Sequence, residues 1–156
     1  MAAPGEVVRL VVPGPPVAWA RARRRGGRYF TAPAQAEHAE RVRQAWLMAG
    51  RPRLPDGVVL AVRGDFHLPR PASHYATGRN AGQLRLSAPA WPLGKPDVDN
   101  LLKAPLDALN GLLYNDDAYV GHVQGTRRYA SAGGPSTVLE VWAYASAGPV
   151  ALTRAA

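Results

Sequence analysis

Residues 95–117 read KPDVDNLLKAPLDALNGLLYNDD, and this stretch decides how the chain is arranged. On a helix from about 98 to 110, turning about 100° per residue, Asp99, Lys103, Asp107 and Asn110 fall within one quadrant, with Asn100 at its edge. Leu101, Leu102, Ala104, Leu106, Ala108 and Leu109 fill the remainder. A helix with one narrow polar stripe must be mostly buried, the stripe turned to a cleft or to solvent. Gly111 suits a left-handed stop. Pro105 removes one helical hydrogen bond, so a bend is expected there.

The charge of this stretch runs against the rest of the chain. Five of the eleven acidic residues lie within the 21 positions from Asp97 to Asp117, although the formal net charge is +8. The only two lysines, Lys95 and Lys103, sit beside those carboxylates, and the other seventeen basic residues are arginines. A basic balance favours a polyanionic partner such as nucleic acid. Carboxylates gathered in one place then suggest a metal ion held against that polyanion. The absence of cysteine excludes disulfides, thiolate metal sites and cysteine nucleophiles. The opening residues lack a basic-then-apolar leader layout, and no apolar run approaches the roughly 20 residues of a membrane span. A cytoplasmic, nucleoid-associated protein is expected.

Outward from the acidic stretch, residues 6–12 (EVVRLVV) read as a first strand, stopped by Pro13-Gly14-Pro15-Pro16. Residues 19–30 (WARARRRGGRYF) set Arg21, Arg23, Arg24, Arg25 and Arg28 around a glycine pair, beside Trp19, Tyr29 and Phe30. Thr31-Ala32-Pro33 opens a helix that runs to about Met48 and ends at Gly50, with Ala39, Val42, Trp46 and Ala49 on one face. A second strand covers 58–68. Residues 69–94 show no periodicity and carry Pro69, Pro71, Pro89 and Pro92, which marks a disordered or a functional loop. Beyond Gly111 a β meander is expected, with strands at 112–114, 119–129 and 137–144. The fold class is therefore mixed α/β (α+β). One compact domain spans 1–145, a mixed β-sheet packed with two main helices, and an Ala/Gly-rich tail at 146–156 is expected to fray. His38, His67, His74 and His122 have no metal-ligand spacing and read as structural.

Distances along the chain predict a site. The helix rises about 16–17 Å from Asp99 to Asn110, and an extended chain from Gly111 to Asp116 or Asp117 covers about 17–23 Å. A chain that doubles back brings Asp116 and Asp117 beside Asp97 and Asp99, at the helix N-terminus, where the dipole favours anions. Asp107, about 12 Å along the axis from Asp99, is expected to be a poor ligand. Clustered carboxylates repel unless a hard divalent cation joins them, and oxygen ligands with waters suit Mg²⁺, with Mn²⁺ as a substitute. Lys103, one turn from Asp99, would face the phosphate. Each piece also has a plain structural reading: Asp97 as a cap, Asp99–Lys103 and Lys103–Asp107 as surface ion pairs, Asn115–Asp117 as a turn. Their joint layout on one stripe favours the chemical reading.

Residues 95–120 (KPDVDNLLKAPLDALNGLLYNDDAYV) resemble the signature of the RusA family of Holliday junction resolvases. That signature is an Asp-x-Asp-Asn group, a lysine four residues after the second aspartate, an Asp-Ala-Leu segment, and an Asp-Asp doublet before a strand. Residues 14–30 are more loosely similar. The resemblance implies a homodimeric, Mg²⁺-dependent endonuclease that nicks two opposed strands of a four-way DNA junction symmetrically. It implies Asp97, Asp99 and Asp117 as the essential acidic positions, Asp116 as the other half of the doublet, and Lys103 as the catalytic lysine. On that reading Arg21, Arg23, Arg24, Arg25, Arg28 and Lys95 contact DNA, and no membrane or small-molecule cofactor takes part. A catalytically idle basic binding module, or a Mg²⁺ nuclease for flaps or single strands, remains the alternative.

Overall fold

The computed structural model describes residues 6–154. Strand β1 (Val8–Pro13) alternates in burial, turning Val8, Leu10 and Val12 inward, which is the period of a strand with one buried face. The arginine segment forms a hairpin of β2 (Arg23–Arg25) and β3 (Arg28–Phe30). Gly26 and Gly27 make its turn at φ +58° and +80°, the left-handed geometry that a two-residue hairpin loop requires. Helix α1 (Pro33–Met48) starts on its proline as expected and buries His38, Val42, Ala45 and Trp46 along one face. The short β4 (Pro52–Arg53) follows, its Pro52 carbonyl accepting the Trp46 indole N–H at 2.9 Å. Then come β5 (Val59–Leu68), α2 (Val98–Leu109), β6 (Val120–Tyr129), β7 (Ser136–Ala145), β8 (Gly148–Val150) and β9 (Thr153–Arg154).

The main sheet has the order β1-β7-β5-β6, with β8 also paired to β7. Strand β6 runs parallel to β5, whereas β7 is antiparallel to both β5 and β1. The expected α+β class with a mixed sheet and two helices is what forms. The meander is corrected: β6 and β7 are consecutive in the chain, yet β5 lies between them. Residues 112–114 are a tight turn rather than a strand. Parallel neighbours need a crossover rather than a hairpin, and here the crossover carries α2 across the sheet face.

Both helices pack on that face, around Leu10, Val42, Leu60, Val62, Leu109 and Val141. Gly64 on β5 pairs with Gly125 on β6 directly beneath α2. A methyl group at position 125 would come within 2.7 Å of both Leu102 and Val98 of the helix. Two glycines side by side therefore let α2 sit close on the sheet. The segment from Ser146, expected to fray, instead contributes β8 and β9, β9 pairs with β4, and Leu152 is buried. Residues 155–156 lie outside the described residues. Residues 69–94 form two 3₁₀ turns, at Ala72–His74 and Gly78–Asn80, tied down by Arg70, which donates to the Pro89 carbonyl and lies over the Tyr129 ring. Among the described residues no helix is long and apolar enough to cross a membrane.

Candidate active site

The segregation of α2 is as the sequence predicts. Leu101, Leu102, Ala104, Pro105 and Leu109 are buried, and Asp99, Lys103 and Asp107 stand exposed along the other side. Pro105 lies inside the helix, which continues past it to Leu109. Asp97 occupies the N-cap position in extended geometry, but its side chain makes no capping hydrogen bond. Its carboxylate is therefore not spent on the helix. The approach to Asp97 is pinned by Arg127 of β6, which donates to the carbonyls of Gly94 and Pro96.

At the far end of α2 the chain turns sharply instead of running back. The Gly111 N–H donates to the Tyr114 carbonyl at 2.6 Å, and the Tyr114 hydroxyl donates to the Leu106 carbonyl at 2.6 Å. This turn returns the chain beside the helix C-terminus, where the Asn110 amide donates to an Asp117 carboxylate oxygen at 3.1 Å. Asp116 accepts the Ala118 N–H at 2.8 Å and so caps the 3₁₀ turn Asp117–Tyr119 that presents Asp117. Burial pushes the Tyr114 phenol well above its ordinary range, and the nearby charges of Asp117 and Asp107 push it further. Tyr114 thus keeps its proton, which it donates to the Leu106 carbonyl.

A cleft of about 300 Å³ opens between α2 and β6, with Asp99, Lys103, Asp107 and Asp117 on its walls and Leu102 and Val123 among its apolar lining. The Lys103 ammonium sits 3.6 Å over the Trp19 ring, the cation–π geometry, rather than against Asp99 or Asp107. Trp19 is itself anchored to α2 through its backbone, its main-chain N–H donating to the Asn100 carbonyl at 2.9 Å. The cleft offers carboxylates that attract a cation, an ammonium that attracts a phosphate, and an apolar lining beside them.

Not every expected ligand arrives there. Asp97 lies at the N-terminus of α2 and Asp116 is held by its turn, so neither lines the cleft. Four carboxylates do not meet at the helix N-terminus, and no group of three or more acidic or histidine side chains close enough to hold an ion forms among the described residues. The tight turn after Gly111 is the reason: it uses up the reach that an extended return would have had. Asp107, set aside on distance from Asp99, is in the cleft because Asp117 comes to its end of the helix. The five arginines 21, 23, 24, 25 and 28 are all exposed on and before the hairpin, and Lys95 is exposed beside a proline-lined cavity.

A family model described as Endodeoxyribonuclease RusA matches residues 13–141, which takes in both the arginine hairpin and the acidic helix. The chain belongs to the RusA family of endodeoxyribonucleases. No match is found among the curated proteins. As a RusA-family chain it is a hydrolase of DNA phosphodiester bonds and a Holliday junction resolvase acting in recombination. RusA nucleases depend on a divalent metal ion and bind branched DNA.

The residues present fit such an ion in donor chemistry. The carboxylates of Asp99, Asp107 and Asp117 in the cleft are hard oxygen donors, and a hard divalent cation can take one or two carboxylates together with waters and substrate phosphate. Trp19, Asp107 and Tyr114 are the residues at or beside this cleft to which sequence reasoning gave no place in a site. Asp107 carried a signal, its place on the polar stripe. Trp19 carried none that linked it to Lys103, because the two meet only in the folded chain.

Proposed function

We propose that the chain acts as a homodimer with Mg²⁺ as its cofactor, with Mn²⁺ able to replace it, and resolves four-way junctions by paired symmetric nicks in the nucleoid. Asp99 and Asp117, which share the cleft, would hold the ion, with Asp116 serving Asp117 through the turn it caps; Asp97, outside the cleft at the start of the same helix, is the further acidic position that the family resemblance implies. When bound, the ion supplies an activated water and neutralises charge on the scissile phosphate. Lys103 binds a non-bridging phosphate oxygen and stabilises the charge that builds there. Arg21, Arg23, Arg24, Arg25, Arg28 and Lys95 hold the flanking backbone, which makes binding salt-dependent. A twofold substrate suits a twofold enzyme, since each subunit then meets an equivalent strand.

The observation that carries this reading is the shared cleft: Asp99, Lys103 and Asp117 line one cavity in a chain of net charge +8. The test is cleavage of a labelled mobile four-way junction in Mg²⁺ and in EDTA, with nicks mapped on all four strands. Paired symmetric nicks that vanish in EDTA are expected. The Asp99→Asn variant is expected to lose cleavage while binding the junction as tightly or more tightly. Tight binding without cleavage in either metal, or loss of folding in Asp99→Asn, would make the carboxylates structural.

A further inference from the structure

The β2–β3 hairpin carries more than charge. Its strands have only three residues each and, among the described residues, pair with no other strand, so the ribbon has little to stabilise it by itself. Yet it displays two aromatic rings to solvent, Tyr29 at 73% and Phe30 at 54% exposure. A phosphate-binding arm needs arginines and no aromatics. The register places Arg24 opposite Tyr29 and Arg23 opposite Phe30. Paired residues of an antiparallel ribbon share a face and successive residues alternate, so one face presents Arg24 next to Tyr29 and the other presents Arg23 next to Phe30, with the Arg25–Arg28 pair further along it. Such a pairing suits a nucleotide, with the ring on the base and the guanidinium on its phosphate.

The surroundings of Phe30 extend the argument. Phe30 borders a cavity of about 380 Å³ that Arg21, Arg23 and Pro33 also line. Helix α1 begins on this cavity, with no side-chain cap and no acidic residue in its first turn, so the positive end of its dipole lies there too. The root of the arm is tied to the site already described. The Trp19 backbone N–H is bonded to α2, and the Ala20 backbone N–H donates to the Gln35 side chain of α1 at 3.1 Å. Arg23 lies four residues beyond Trp19, at most about 14 Å of extended chain from the residue that holds Lys103.

We infer that this arm is the element that distinguishes branched from linear DNA, by stacking Tyr29 and Phe30 on bases left unstacked where the strands exchange. Linear duplex hides both faces of every internal base pair. An open junction ends each arm in a pair with one bare face, close to the bond that is cut. The inference rests on branched DNA being the substrate of the site.

Binding in EDTA tests it without cleavage. The wild-type chain is titrated onto a four-way junction and onto a linear duplex, each carrying 2-aminopurine either at the innermost base of an arm or in mid-arm. The wild type should change the fluorescence at the branch only. Tyr29→Ala and Phe30→Ala should each weaken junction binding about tenfold, leave duplex binding and the salt slope unchanged, and reduce the branch signal. Phe30→Tyr should restore it. Phe30→Leu, which keeps apolar bulk without an aromatic face, should behave like Phe30→Ala. Arg23→Gln should weaken both substrates and lower the salt slope by about one. Equal losses on junction and duplex in the aromatic variants, no loss, or full activity of Phe30→Leu would overturn the inference while leaving the resolvase reading in place. A wild-type chain that bound both substrates alike would overturn the two together.

Discussion

Replacing His38 by leucine should stabilise the fold and remove part of its sensitivity to acid. His38 is 1% exposed on the buried face of α1, and neither of its ring nitrogens has a hydrogen-bond partner among the described residues. Burial, helped by the charge of Arg41, lowers its pKa from 6.5 to about 4. In the folded chain the imidazole is therefore neutral at pH values where the unfolded chain has already bound a proton. Because the folded pKa is the lower one, stability is intact above pH 6.5 and drains away as pH falls towards 4. A gap of that size corresponds to a loss of about 3 kcal/mol across the window. Urea unfolding of the wild type and His38→Leu at several pH values from 7.5 to 4.5 measures it. Carboxylates titrate in both proteins, so the difference between them isolates His38. At pH 7.5 the variant should be more stable by about 1 kcal/mol, since two unpaired buried polar atoms are gone. Below pH 6.5 its advantage should widen by about 1.4 kcal/mol per pH unit. An advantage that stays constant over the whole range would refute the reasoning, because the imidazole would then be as free to charge in the folded chain as in the unfolded one.

Other consequences concern the cleft. Trp19→Ala removes a cation–π contact worth roughly 1 kcal/mol, so the rate of junction cleavage should fall about fivefold with binding in EDTA unchanged. Trp19→Phe should recover most of it, and an equal loss in a Lys103→Met background would show that Trp19 does not act through the lysine. Gly125→Val drives a side chain into Leu102 and Val98, and should cost about 1–3 kcal/mol in thermal or urea unfolding. Cleavage should drop further than the unfolded fraction explains, because Asp99 and Lys103 ride on the displaced helix. Asp107→Asn should raise the Mg²⁺ concentration for half-maximal cleavage roughly tenfold, and an unchanged metal requirement would remove Asp107 from the metal's surroundings.

Much of this molecule is local and was legible in the chain. Pro33 opens α1 and Gly111 follows α2, and the strands from Val8, Val59, Val120 and Ser136 lie within a few residues of where β-patterning placed them. The polar stripe of Asp99, Lys103 and Asp107 followed from a 3.6-residue period alone, because a helix must bury its leucines whatever it packs against. The ordered aspartates and lysine also carried the family resemblance before any fold was known.

Tertiary structure decided what depends on partners far apart in the chain. Strand order is one case. Inserting β5 between β6 and β7 is a contest between long-range pairings that no short window contains, and Gly64 beneath α2 acquires its meaning only once Gly125 lies beside it. The site is another. The return path of Asp117 was set by a three-point turn through Gly111, Tyr114 and Leu106, so it reached Asp107 and Asn110 instead of Asp97. Lys103 met Trp19 because the Trp19 backbone N–H bonds to the Asn100 carbonyl on the same helix. Periodicity records which side of an element is buried, whereas the identity of the neighbour across a gap is settled by the packing of the whole chain.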